Sequence, residues 1–445
     1  MLGLAHESTV IALNTHSTAR RNALLNAARL GALGMMTPHW VKAQFRVEVS
    51  GVGLTQHPFS AIVFRSSAGV PEDIAAIVRA DLERSGQFLH VSLPHGAWDE
   101  SSQPDLTPWR SRGVDVVVVG SVNPMAGGRW DVRYRLWDVL GNKSLGGVSY
   151  PVSTQDLRAA AHRIADDIFQ KMTGVPGVFS TRIAYTTRSG GRHHLWLADA
   201  DGQNPKSVLS STEPIISPNW SADGARLAYV SFEAKKPIVY THEVATGVRR
   251  LASNQRGSNS APAWSPDGGR LLVTLTLTGS SQIYEINPQG GTPKRLTQSN
   301  GIDTEGVYSA DGRTIYFVSD RGGSPQIYKM DANGGAAQRV TFQGGYNISP
   351  APSPDGKWLA YVSRLGGGAY RVHVMDLQSG SVAAVSDTSD DENPSFSANS
   401  RMLVYGTKFQ GRESLMTTTV DGRVKTRLIT APGEVREPHW GPLLR

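Results

Sequence analysis

Cysteine is absent from this 445-residue chain. Its absence excludes a disulfide framework, cysteine zinc sites and thiol chemistry. It does not exclude export, because a core of sufficient size holds without covalent staples. A long apolar run is missing too. The stretch Ala23 to Met36 is shorter than the ~20 residues that span a bilayer, and it carries Asn26 and Arg29, so no membrane span is expected. Basic runs are also missing. The formal net charge is +7, yet the Lys and Arg are scattered and no aromatic residues interleave with them. The charge reads as a solvated surface, and no nucleic acid is expected as a partner. There is no HExxH, no GxSxG and no phosphate loop, and Gly51-Val52-Gly53 lacks the rest of a nucleotide fingerprint.

What is present begins with a leader. Arg20-Arg21 precede the small, apolar stretch Ala23 to Met36, and Val41-Lys42-Ala43 follow before Gln44. A basic region, a short apolar region and a small-residue site have the form of a secretory signal, expected over residues 1–43. The paired arginines leave the Sec and twin-arginine routes open. The polar residues before position 18 point to a start codon assigned too far upstream.

A first domain is expected over residues 44–173. Phe45 to Val49 and Phe59 to Phe64 alternate like strands. Pro71 to Ser85 reads as a helix with Pro in its first turn and Ile74, Ile77, Val78 and Leu82 on one face. Val114 to Gly120 is an almost continuous β-branched run, as expected of a strand covered on both faces. Trp130 to Trp137 alternates, Gly146 to Val152 is its candidate partner, and Gln155 to Met172 reads as a second amphipathic helix. Strands interleaved with helices make an α/β domain. A linker is expected over 174–181.

The remaining residues, 182–445, repeat. Ser221, Ser265, Ser309, Ser353 and Ser397 follow one another at a constant step of 44, inside segments of the form PNWSADGARLAYVS. Each unit reads as four strands: the Trp-Ser segment, an Asp-Gly hairpin turn into Leu-Ala-Tyr-Val-Ser, then two more separated by a Gly-containing turn. Four strands per unit of this length describe a propeller blade. First-strand motifs centre on positions 220, 264, 308, 352, 396 and 440. Second-strand motifs begin at Arg182, Arg226, Arg270, Arg313, Lys357 and Arg401. The two series are out of phase, so the last first strand, Pro438-His439-Trp440, must pair with the strand at Arg182. The fold class is thus an α/β N-terminal domain followed by an all-β six-bladed β-propeller closed by its C-terminal strand. Closure of this kind removes exposed sheet edges.

Chemistry is sparse. The repeated Asp223, Asp267, Asp311 and Asp355 sit where turns favour Asp, and the repeat serines have no partnered histidine. His193-His194 are neighbours on a strand and point to opposite faces, so they cannot easily chelate one ion. No catalytic residue, metal or cofactor is expected. What varies is the pair of residues before each motif: Ile216-Ser217, Ser260-Ala261, Thr304-Glu305, Ile348-Ser349, Glu392-Asn393 and Arg436-Glu437, with Asn259, Asp303, Asn347 and Asp391 one place earlier. These converge on the channel mouth as a mixed collar suited to a protein or peptide partner. A propeller hydrolase or carbohydrate-binding protein stays open as the alternative, since acids or histidines from several blades could meet in the channel.

This order of leader, α/β domain and P-x-W-S-P-D-G-x-x-L-A-Y-V-S repeats resembles the TolB family of the Tol–Pal cell-envelope system. The likeness is carried by Val70-Pro71-Glu72-Asp73-Ile74, the run Gly113 to Gly120, Phe169-Gln170-Lys171-Met172-Thr173-Gly174, Thr181-Arg182-Ile183-Ala184-Tyr185 and Val420-Asp421-Gly422-Arg423. The resemblance implies a non-enzymatic, monomeric periplasmic adaptor that supports outer-membrane integrity and constriction at division. It implies that the lipoprotein Pal docks at the channel mouth on Ala261 and Thr304, with Asn259 and Glu305 beside them. The collar extends that surface to Asn347, Glu392, Asn393 and Glu437. It further implies that TolA engages the mature N-terminal segment, Phe45, Arg46, Val47, Glu48 and Val49. Outer-membrane lipoproteins and porins are looser partners of the same system. The family often places His before Asn-Gly-Ala-Pro, where this chain has Ser258, so that one contact does not carry over.

Overall fold

The computed structural model describes residues 48–49, 56–67, 69–365, 368–429 and 433–443. The leader expected over 1–43 lies outside them, as do Phe45, Arg46 and Val47.

The first sheet is ordered Phe88–His90, His57–Ala61, Val116–Met125, Arg129–Asp138, Lys143–Ser153, with Arg65–Ser66 pairing the far end of the third strand. The first three strands run parallel and the last two are antiparallel. The β-branched run is covered on both faces. Val116 and Val118 pack under the helices α1 (Ile74–Arg84) and α3 (Leu157–Thr173). Val117 and Val119 face Ile62, Leu106 and Trp109 beneath the short helix α2 (Thr107–Arg110). Pro71 is not in the first turn of α1. The helix begins at Ile74, because the Asp73 carboxylate accepts the Ala76 N–H (3.0 Å) and caps it there. α3 ends at Gly174, whose positive φ of 72° and N–H to Gln170 close the last turn.

The propeller has six blades. Blades two to five are four-stranded sheets in sequence order, beginning at Ile215, Asn259, Asp303 and Tyr346. Leu-Ala-Tyr-Val-Ser explains how they stack. Side chains alternate across a strand, so Ala228 and Val230 join the core shared with blade three, while Leu227 and Tyr229 join the core shared with blade one. The same division recurs around the ring, giving six cores, one in each gap between blades. At the hairpin turns the serine organises the loop: Ser309 Oγ donates to Asp311 (2.6 Å) and accepts the Thr314 N–H (3.0 Å). Turn geometry accounts for both residues.

Blade one takes its inner strand from the chain's end. Glu434–Trp440 pairs antiparallel with Arg182–Ser189, with Trp440 opposite Ile183. The Trp440 N–H donates to Ser395 of blade six (2.9 Å), and its indole N–H donates to Thr181 (2.8 Å). One residue therefore ties the first blade, the last blade and the segment entering the propeller.

That segment is a packed joint. Val178 is buried in the core between blades one and six, and its neighbour Phe179 in the core of the first domain. Asp166 of α3 accepts the N–H groups of Phe179 (2.6 Å) and Ser180 (3.1 Å).

Removing residues 434–445 should lower the melting temperature by about 10 °C or more, because it opens a blade and empties the Trp440 site. Trp440→Ala alone should cost about 3–5 kcal/mol in urea unfolding. An unchanged midpoint for the truncated chain would show that closure carries no stability.

Candidate functional site

The inner strand of every blade breaks its ladder at one place. The register shifts between Ile216 and Asn219, Ser260 and Ala263, Thr304 and Val307, Ile348 and Ala351, Glu392 and Ser395, and Arg436 and His439. In each bulge one non-glycine residue adopts a left-handed conformation: Ser217, Ala261, Glu305, Ser349, Asn393 and Glu437, with φ of 46–54°. Proline follows in five blades and Gly306 in the remaining one. Proline has no N–H to lose from a broken ladder, so the break is written into the sequence. Left-handed backbone costs a non-glycine residue of order 1–3 kcal/mol, and here it recurs once per blade around one ring.

All six line a common cavity of about 530 Å³ along the propeller axis. Ala261, Thr304, Glu305, Glu392, Asn393 and Glu437 are half-buried at this collar. Thr304 lies 3.4 Å from the Thr274 hydroxyl. The remaining two expected collar residues must be corrected. Asn259 and Asn347 are fully buried and present nothing to a partner. Asn259 accepts from Ser253 (2.7 Å) and the Gln255 N–H (2.8 Å), and Asn347 donates to Gln326 (2.7 Å) and the Gln343 carbonyl (2.8 Å). Asp303, gripped by Arg321 at 2.9 Å, and Asp391, which accepts from Thr407 at 2.7 Å, occupy the same position in their blades. These four residues pin the loops that carry the collar. The repeat located them correctly, but spacing alone does not tell a side chain facing the channel from one facing its own blade.

The collar glutamates bridge neighbouring blades. Glu305 accepts the Ser349 N–H (2.7 Å), Glu437 accepts the Ser217 N–H, and Glu392 accepts the Glu437 N–H (3.4 Å). Burial pushes the carboxyls of Glu392 and Glu437 up to about 7, against the opposing charge of Arg436. Burial raises Glu305 as well. At neutral pH the collar is therefore only partly ionised. His439 lies deeper in the channel, where burial lowers it to about 4 and its Nε2 sits 2.8 Å from the Asn219 amide. Its Nδ1 accepts the Trp220 N–H at 3.4 Å, so both ring nitrogens of His439 are engaged within the propeller.

Of the N-terminal segment only Glu48–Val49 is described, and it lies at the outer edge of a blade. Glu48–Val49 pairs with Lys425 and Val424 and adds a fifth strand to the outer edge of blade six. The inner strand of that same sheet carries Glu392 and Asn393. The sequence also gave no notice of Asp81, His162 and Asp201, the group of carboxylates and histidine close enough among the described residues to share a cation. They come from three distant stretches of chain, so no spacing motif exists to find.

Residues 169–444 match the model of the TolB beta propeller domain, and residues 45–145 that of the TolB amino-terminal domain. The Tol-Pal system protein TolB of Albidiferax ferrireducens is 69% identical over 402 residues, covering 90% of this chain and 94% of the relative. That of Polaromonas naphthalenivorans is 64% identical over 431 residues, covering 97% and 99%. The crystal structure of TolB from Acinetobacter baumannii is similar with a TM-score of 0.81 at 39% identity, covering 90% of this chain and 100% of that one.

The raised collar carboxyls have a measurable sign. Because the folded value of Glu437 lies above its ordinary 4.5, the folded state loses stability as pH rises from about 4.5 through about 7. Glu437→Gln keeps an acceptor for Ser217 and does not ionise. Urea unfolding should show the variant gaining on wild type from pH 5 to pH 8 by about 1–2 kcal/mol. A difference that stays flat across that range would remove the raised carboxyl.

Proposed function

The chain belongs to the TolB family of Tol-Pal system proteins, and from that premise we propose that it is a non-enzymatic periplasmic adaptor that docks Pal at the collar. The observation that carries this reading is the ring of six left-handed residues around one cavity. Each blade contributes one such position, and the residue there differs from blade to blade. That is the arrangement of a rigid recognition surface, where little conformational freedom is lost on binding. Ala261, Thr304, Glu305, Glu392, Asn393 and Glu437 form the docking surface, and Ser258 stands where the family often has a histidine.

The N-terminal segment, residues 44–54, is the site for TolA. Export directed by residues 1–43 places the chain in the periplasm, where it supports outer-membrane integrity and constriction. Blade six couples the two partners, because its inner strand carries Glu392 and Asn393 and its outer edge receives Glu48–Val49. A partner that shifts the inner strand alters the edge on which the segment pairs, and by linkage the reverse holds with equal free energy.

A direct binding assay with the soluble domain of Pal tests the collar. Thr304→Arg places a long cation at the collar rim and should weaken binding about 30-fold or more, with an unchanged melting temperature. Equal affinity for wild type and variant would move the Pal site away from the collar. Deleting residues 44–54 should abolish TolA capture and change Pal affinity. Unchanged Pal affinity would remove the coupling and leave the collar assignment standing.

A further inference from the structure

The contact between the first domain and the propeller holds a charged cluster with a buried centre. α1 supplies Asp81 and Arg84, α3 supplies Arg158 and His162, and the blade-one strand Arg192–Asp199 supplies Asp199 at its end and Asp201 from the turn that follows. Asp81, Arg84, His162 and Asp201 are each 3% exposed or less. Asp81 accepts from Arg84 at 2.8 Å with one oxygen and faces His162 Nδ1 at 2.6 Å with the other. Arg158 donates to Asp201 and, at 3.4 Å, to Glu72. Even with Arg182, which acts on Asp199, the carboxylates outnumber the guanidiniums, and Asp166 adds a further negative charge near Asp81.

Three buried nitrogens of the cluster lack a hydrogen-bond partner, Arg84 Nε, Arg158 Nε and His162 Nε2, and only the last can gain or lose a proton near neutral pH. It is buried and has no hydrogen-bond partner, and it faces Asp201 at 3.8 Å and Asp199 at 3.9 Å. A neutral ring that donates Nδ1–H to Asp81 would turn a bare lone pair toward two carboxylates. A second proton turns the same geometry into an attraction. We propose that His162 is held as an imidazolium and that its Nε2 proton ties α3 to the first blade, making the domain contact a proton-dependent latch.

Burial alone would lower the imidazole, but the charge and hydrogen bond of Asp81, with Asp201 and Asp199 beyond, outweigh it and raise it above 6.5. Burial raises Asp199, while the cations around Asp201 hold it low despite burial. A divalent ion at the same place is disfavoured, because Arg158 already occupies Asp201 and would have to be expelled. The sign follows from linkage. The tie is complete below 6.5 and is lost as pH rises through the raised value.

Two measurements on the full mature chain test the latch. In a ¹⁵N titration of the imidazole signals, with His162 identified by its loss in His162→Gln, both ring nitrogens should stay protonated past 6.5, and Asp81→Asn should bring the midpoint down. In thermal unfolding from pH 5.5 to 8.5, wild type should lose about 2 °C or more relative to His162→Gln. A neutral ring at pH 6 would overturn the proposal. So would a melting difference that does not change with pH, or a melting rise with added zinc in wild type that His162→Gln lacks. If His162→Gln does not fold, His162→Asn supplies the assignment and the pH comparison in its place.

Discussion

Every blade depends on the pairing of Glu434–Trp440 with Arg182–Ser189. A propeller blade buries both faces against its neighbours, so its stability belongs to the ring and not to the blade. With six gaps and six cores, an open ring would leave one core facing water and two sheet edges unpaired. Trp440 is where the cost concentrates, since its backbone is bound to blade six and its ring to Thr181 at the entrance. The axial cavity and its collar exist only because the ring is closed.

The collar adds a second constraint. Each inner strand must bend where it reaches the mouth, and a two-residue bulge accomplishes this at the expense of a left-handed residue. The repeat period and the prolines that follow these positions were visible in the sequence, as were the number of blades, the closing strand, both long helices and the doubly covered valine run. The sign of φ was not visible, because Ser217, Ala261 and Glu305 have no residue type in common that favours positive φ. Burial was not visible either. Asn259 and Ala261 are two places apart and look alike as loop residues, yet one is sealed inside its blade and the other lines the cavity.

Local patterns also decided where the reading of the helices slipped. Pro71 suits a first turn, but the Asp73 cap competes for the same role and sets the start. The strand Phe88–His90 was missed because three residues carry no period. The charged cluster was invisible for a different reason. Asp81, His162 and Asp201 are unremarkable where they stand, and only the docking of two helices on a blade-one turn makes them one electrostatic unit.

The ways in which the N-terminal strand and the inter-domain joint are held differ mechanically. Glu48–Val49 meets blade six through two residue pairs at the outermost edge of a sheet. A pull from the N-terminus directed away from that edge loads those pairs one after the other, as in peeling. The joint at Val178 and Phe179 is loaded differently, since its two side chains are keyed into separate cores and must leave both at once. Tension on the chain's beginning therefore meets the two strand pairs before it meets the joint. Blade six can give up this fifth strand and keep the four of its own.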